Sequence, residues 1–175
     1  GAVSFTLQDV TILGDATQKV INITAATDLM LSIHNVMIGT SALNGVDVFI
    51  DGNNFGRRIK ITDAEVWIDS AAGWFYDAAA SGRLEMENVT TQGNAAFDSG
   101  PEVMATNCRL TGGDASTYAL SSRFTGCVLS AELLTFGNQC DLSGCIVTAD
   151  TTLTFGTNCT VAGGTVSIAV TFGAS

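Results

Sequence analysis

A short phrase of alternating apolar residues returns eight times along this chain. The first copy is Phe5-Thr-Leu7-Gln-Asp9-Val10-Thr-Ile12 and the second is Leu31-Ser-Ile33-His-Asn35-Val36-Met-Ile38. Ile59, Leu84, Val103, Ser122, Cys140 and Cys159 open the other six. The small residue at the centre falls at Asp9, Asn35, Asp63, Asn88, Asn107, Gly126, Gly144 and Gly163, at intervals of 26, 28, 25, 19, 19, 18 and 19. Period-2 alternation sends successive side chains to opposite faces of a strand. A repeat of this length built on that alternation marks a solenoid of stacked strands. The expected class is all-β.

Each repeat reads as three short strands. The phrase supplies two, which meet at the small residue in a tight bend. Asn and Asp tolerate the left-handed backbone such a bend requires, and Gly adopts it freely. The third strand lies between phrases and is plainest in Leu134-Thr-Phe136-Gly137, Leu153-Thr-Phe155-Gly156 and Val170-Thr-Phe172-Gly173. Alternation predicts one inward column of Ile23, Ile50, Tyr76, Phe97, Leu120, Phe136, Phe155 and Phe172. Cys108, Cys127 and Cys145 form a second inward column, with Cys140 and Cys159 in a shorter one. Buried thiols pack as small hydrophobes. Parallel side chains on neighbouring rungs hold the β-carbons too far apart for disulfides, so all five cysteines are expected reduced and buried.

Composition narrows the partners. The net charge of -10 and only seven Lys and Arg residues leave no basic stripe for nucleic acid. No apolar run is long enough for a membrane helix, so no membrane insertion is expected. Residues 1–100 hold twelve acids and five bases, against five and two in residues 101–175. The whole chain, 1–175, reads as one domain or segment, with longer irregular coils over 1–100 and short regular coils over 101–175. The first residue is Gly, which suggests a segment of a longer protein. An open end of stacked strands needs a cap. Here that cap would be another domain or a symmetry partner, with the uncharged C-terminal coils packed together. The sequons at Asn22, Asn88 and Asn158 read as chance in a chain rich in Asn and Thr.

The pattern apolar-x-apolar-x-Asn-apolar-x-apolar resembles the second strand, Asn-ladder turn and third strand of right-handed parallel β-helices. Pectate lyases, polygalacturonases and phage tailspikes share that superfamily. Asn35, Asn88 and Asn107 match the ladder position, Asp9 and Asp63 are close substitutes, and Gly126, Gly144 and Gly163 depart from it. The resemblance implies a single-stranded right-handed parallel β-helix of about eight coils of 18–28 residues. It also implies a tailspike- or tail-fibre-type structural module on a virion surface or outside the cell. Such a module presents a surface to host or extracellular polysaccharide and self-associates, by analogy as a homotrimer. The alternative is a polysaccharide lyase or glycoside hydrolase.

The candidate site comes from the outward positions of the third strand. Phe49 and Phe75 fall in an outward column, and Asp51, Asp77 and Asp98 stack at the strand end. Aromatic faces and carboxylates suit a saccharide, so these five residues are the expected carbohydrate-binding set. Stacked like charges repel unless a cation or base relieves them. The three aspartates are therefore a weak calcium candidate as well, with no cofactor otherwise expected. An Asp at a strand end also serves a turn, as in Asp51-Gly52. No catalytic pair is selected: Glu85 with Glu87 is one option, and any two of the three aspartates another. Arg58-Ile-Lys60 matches a polygalacturonase string without its companion motifs. It reads as Ile59 inward between two solvated cations. His34 is expected on the surface beside the Asn35 bend. An outward column of Thr135, Thr154 and Thr171 suggests an ice-binding surface only across three coils.

Overall fold

The computed structural model describes residues 3–14, 19–23, 29–39, 45–46, 48–52, 58–68, 74–77, 82–97, 102–113, 115–168 and 170–172. Among these residues every regular element is a strand. The first half holds β1 (Val3–Ile12), β2 (Lys19–Ile23), β3 (Leu29–Ile38), β4 (Val48–Gly52), β5 (Arg58–Ile68), β6 (Trp74–Asp77), β7 (Arg83–Gly93) and β8 (Ala96–Phe97). The middle holds β9 (Glu102–Thr106), β10 (Arg109–Thr111), β11 (Ala115–Tyr118), β12 (Arg123–Thr125) and β13 (Val128–Phe136). The chain continues with β14 (Asp141–Ser143), β15 (Ile146–Phe155), β16 (Thr160–Ala162), β17 (Thr165–Ser167) and β18 (Val170–Phe172).

All the strand pairs are parallel, each joining one repeat to the equivalent strand of the next. β1, β3, β5 and β7 pair in succession through whole phrases. β7 then pairs with both β9 and β10, because the phrase breaks into two strands from this rung onward. One arm runs on through β12, β14 and β16, the other through β13, β15 and β17. Together with β11 and β18 these make one curled sheet of 14 strands, while β2, β4, β6 and β8 form a second sheet of 4.

The bend residues carry this geometry. Asp9, Asn35, Asp63, Asn88 and Asn107 have φ of 54, 50, 53, 54 and 52°, and Gly126, Gly144 and Gly163 have 61, 63 and 63°. All eight sit in the left-handed region, as their chemistry predicts. Side chains reinforce the early bends: Asn35 Nδ2 donates to Asp9 Oδ1 at 2.7 Å, and Asn88 Nδ2 to Asp63 Oδ1 at 3.0 Å. The glycines lose that bond, and the backbone maintains the rungs. Asn107 N–H donates to Thr125 C=O at 2.9 Å, Gly126 N–H to Ser143 C=O at 2.9 Å, and Gly144 N–H to Ala162 C=O at 2.8 Å.

The inward positions of the phrases form the core. Leu31, Ile59, Leu84 and Val103 share one register column, and Val36, Ala64 and Val89 another, all buried. Phe136 and Phe155 are buried and stacked with ring centroids 5.1 Å apart, and Phe172 is in register with Phe155. Two members of the predicted third-strand column shift by two residues. Tyr118, not Leu120, pairs with Phe136, and Leu120 is 63% exposed. Tyr118 fits because its ring lies 5.2 Å from Phe97, 5.3 Å from Phe136 and 4.8 Å from Phe124. In the first repeat Ile21, not Ile23, is in register with Ile50.

The five cysteines are free, four of them buried. Cys159 is only partly buried, a correction that follows from its place on the last rung of its column. Each thiol donates to a backbone carbonyl, as Cys140 does to Ala119 at 3.3 Å and Cys159 to Gly137 at 3.1 Å. The contact with Cys108, then burial, pushes the Cys127 thiol up to about 11, and burial pushes Cys140 up to about 12.

Candidate functional site

The third strands place the predicted acidic column as follows. Asp51 on β4 and Asp77 on β6 are register partners, and Asn22 on β2 precedes them in the same column. Asp98 lies outside the described residues, as do the side chains of Phe75, Asp51 and Asp77. Phe49 is corrected. It is fully buried, as is its neighbour Ile50, so both faces of β4 are closed to solvent at this point. Alternation assigned Phe49 to the outer face, but the residue is buried within the hydrophobic core, and alternation says nothing of what covers a face. Ala96 on β8 is also buried. Phe49 therefore has no exposed ring for a sugar.

The other singled-out residues lie where the alternation puts them. Ile59 is buried between exposed Arg58 and Lys60. Arg58 pairs with Glu85 on the next rung, and Arg83 Nε reaches Glu102 Oε2 at 3.0 Å. His34 is half exposed, with Nδ1 2.8 Å from Thr62 Oγ1 and 3.5 Å from Asp63 Oδ2. One nitrogen faces both partners, so no relay through the ring is built among the described residues. Glu85 is engaged by Arg58. Among the described residues no group of three or more His, Cys, Asp or Glu side chains is placed to hold a metal ion. The outward threonine column gains Thr117, which is in register with Thr135, Thr154 and Thr171.

An open groove of about 490 Å³ lies elsewhere, along the bends of the first four rungs. Asp9, Asn35, Asp63 and Asn88 form one wall, and Thr11, Met37, Glu65 and Thr90 the other. The asparagine side chains donate to the aspartates, and this holds the Asp9 carboxyl below the usual carboxylate range. Glu65 Oε1 accepts from Gln92 Nε2 at 2.6 Å and from Trp67 Nε1 at 3.3 Å. The second wall continues in register as Arg109, Val128, Ile146 and Thr165. Sequence reasoning found the bend residues but not this groove. Its signal was the alternation of acid and amide at the bends, together with the outward residue two positions later.

Fold and site together define an all-β, solenoid-like chain of parallel rungs with an acidic N-terminal flank and a weakly charged C-terminal one. No protein-family model, curated protein or solved structure matches the chain.

Proposed function

We propose that the chain is a structural module, a single-stranded right-handed parallel β-helix of about eight coils of 18–28 residues. The column of eight positive-φ bends supports this reading. Repeats that turn at one place and bond to the equivalent strand of the next stack into a rod, each contacting only its neighbours. The right hand follows from the bias of parallel crossovers. The module is of the tailspike or tail-fibre type, a rigid spacer on a virion surface or outside the cell. Its glycan-facing part is the C-terminal end of β4 and β6, where Asp51 and Asp77 share a register and Phe75 lies two residues before Asp77.

Retention on immobilised bacterial surface polysaccharides tests the reading. The wild-type chain is expected to be held, and Phe75→Ala to weaken retention by roughly 1–2 kcal/mol, on the scale of aromatic stacking. Asp77→Asn separates the calcium reading from the turn reading. Relief of repulsion from Asp51 raises stability by a few tenths of a kcal/mol, about the scale of cross-strand charge pairs. A bound cation reverses that sign and makes melting sensitive to a chelator. Equal retention of wild type and Phe75→Ala would remove the glycan role and leave a plain spacer.

A further inference from the structure

We infer that the outer face carrying the groove is a self-complementary interface on which two copies of this chain pack antiparallel about a two-fold axis. The inference rests on the register of one outward column and stands whether or not another face meets a glycan.

The column carries opposite charges one rung either side of Thr90 and an apolar residue on each side two rungs out. Glu65 lies one rung before Thr90 and Arg109 one rung after it. Met37 lies two rungs before and Val128 two rungs after. Thr11 and Ile146 follow at three. A two-fold axis at Thr90, running along the strands, reverses the stacking direction and keeps the columns aligned. It sets Glu65 of one copy against Arg109 of the other, and Met37 against Val128. Among the described residues both ions are available for this pairing. The Arg109 side chain makes no hydrogen bond or ion pair among the described residues, and the intramolecular bonds of Glu65 use only Oε1. Met37 and Ile146 are 38% and 48% exposed, large apolar groups that this packing covers.

The neighbouring bend column agrees. The same axis places Asp63 against Asn107 and Asp9 against Gly144, so the acidic rungs of each copy meet uncharged rungs of the other. A parallel arrangement would instead bring the acidic rungs of one copy level with the acidic rungs of the other, setting Glu65 or Asp63 against carboxylates at the same height, which like-charge repulsion opposes. Exposed Ile146 and part-buried Val128 then enter the groove beside Thr11 and Met37. A pairing of identical patches closes after two copies. It is therefore a dimer, where the tailspike analogy implies a trimer. Six rung spacings at about 4.8 Å make the shared strip about 29 Å long.

Light scattering on the intact chain is expected to give twice the 18.1 kDa of one chain, falling towards one at low concentration and high salt. Arg109→Glu sets two carboxylates together and should weaken the dimer on the order of tenfold or more. Thr165→Glu, beyond the paired strip, should leave the mass unchanged and shows that added charge alone is not the cause. Thr90→Cys lies on the axis and should be linked to its own copy by a short bismaleimide. Thr165→Cys should stay at the background set by the native thiols. A monomeric or trimeric mass, an unaltered mass for Arg109→Glu, or equal linking of the two cysteine variants would overturn the inference.

Discussion

Tyr118 and Leu120 make the sharpest test of the packing, because the sequence offers both for one place in the core. Tyr118 is 2% exposed and its ring meets those of Phe97, Phe124 and Phe136. Burying an aromatic side chain of roughly 200 Å² at about 25 cal/mol per Å² contributes about 5 kcal/mol. Extended-chain accounting overstates this, and measured aromatic-to-alanine changes in cores cost about 3–5 kcal/mol. Tyr118→Ala is therefore expected to cost about 4 kcal/mol. With a urea slope of about 2 kcal/mol per M, the midpoint falls by about 2 M. Tyr118→Phe keeps the ring and its packing and should cost no more than about 1 kcal/mol. Leu120, exposed at a corner, should cost within about 0.5 kcal/mol when cut to Ala. Urea unfolding followed by circular dichroism reads all three. A Leu120→Ala cost equal to that of Tyr118→Ala would refute the register.

Three further outcomes follow from named residues. Gly163 has φ 63° and nothing within 4 Å of an added β-carbon, so Gly163→Ala isolates the backbone term. It should lower stability by about 1–2 kcal/mol on thermal or urea unfolding, and no loss would show that the bend does not need that conformation. A thiol reagent without denaturant should label Cys159 first and leave Cys108, Cys127, Cys140 and Cys145 protected. Rapid labelling of four or five would contradict the core assignment. Stability should also fall in alkali. Cys127 at about 11 and Cys140 at about 12 hold their protons in the fold above the ordinary thiol value of about 8.5. The unfolded chain ionises first, so their contribution is complete below about pH 8.5 and is lost progressively as pH rises towards the folded values. Burial raises Tyr118 in the same sense, while Cys108, lowered by its contact with Cys127, opposes the trend. A urea midpoint that is flat from pH 8 to 11 would contradict this.

Much of the fold was legible because its determinants are local. A left-handed bend admits few residues, so Asp9, Asn35 and the glycines announce it in the sequence, and every spacing follows from there. The register of the third strands was less legible for an equally physical reason. A shift of two residues preserves strict alternation, so Tyr118 and Leu120, or Ile21 and Ile23, look alike until a neighbouring rung chooses. Stacking against Phe97 and Phe136 makes that choice, and it is a long-range fact. Phe49 shows the second limit, since alternation gives a face but not its cover. Of the candidate site, the in-register pairing of Asp51 and Asp77 was readable. The groove was not, because it needs four bends and the next outward column to be seen together.

The central claim is that the repeats stack as parallel, in-register rungs joined at their bends. Scalar couplings across hydrogen bonds in solution NMR test it most directly. Couplings are expected from the amide of Asn107 to the carbonyl of Thr125, from Gly126 to Ser143 and from Gly144 to Ala162, each one repeat further along the chain. Protected amides at these bends that couple instead within their own repeat, or in an antiparallel pattern, would contradict it.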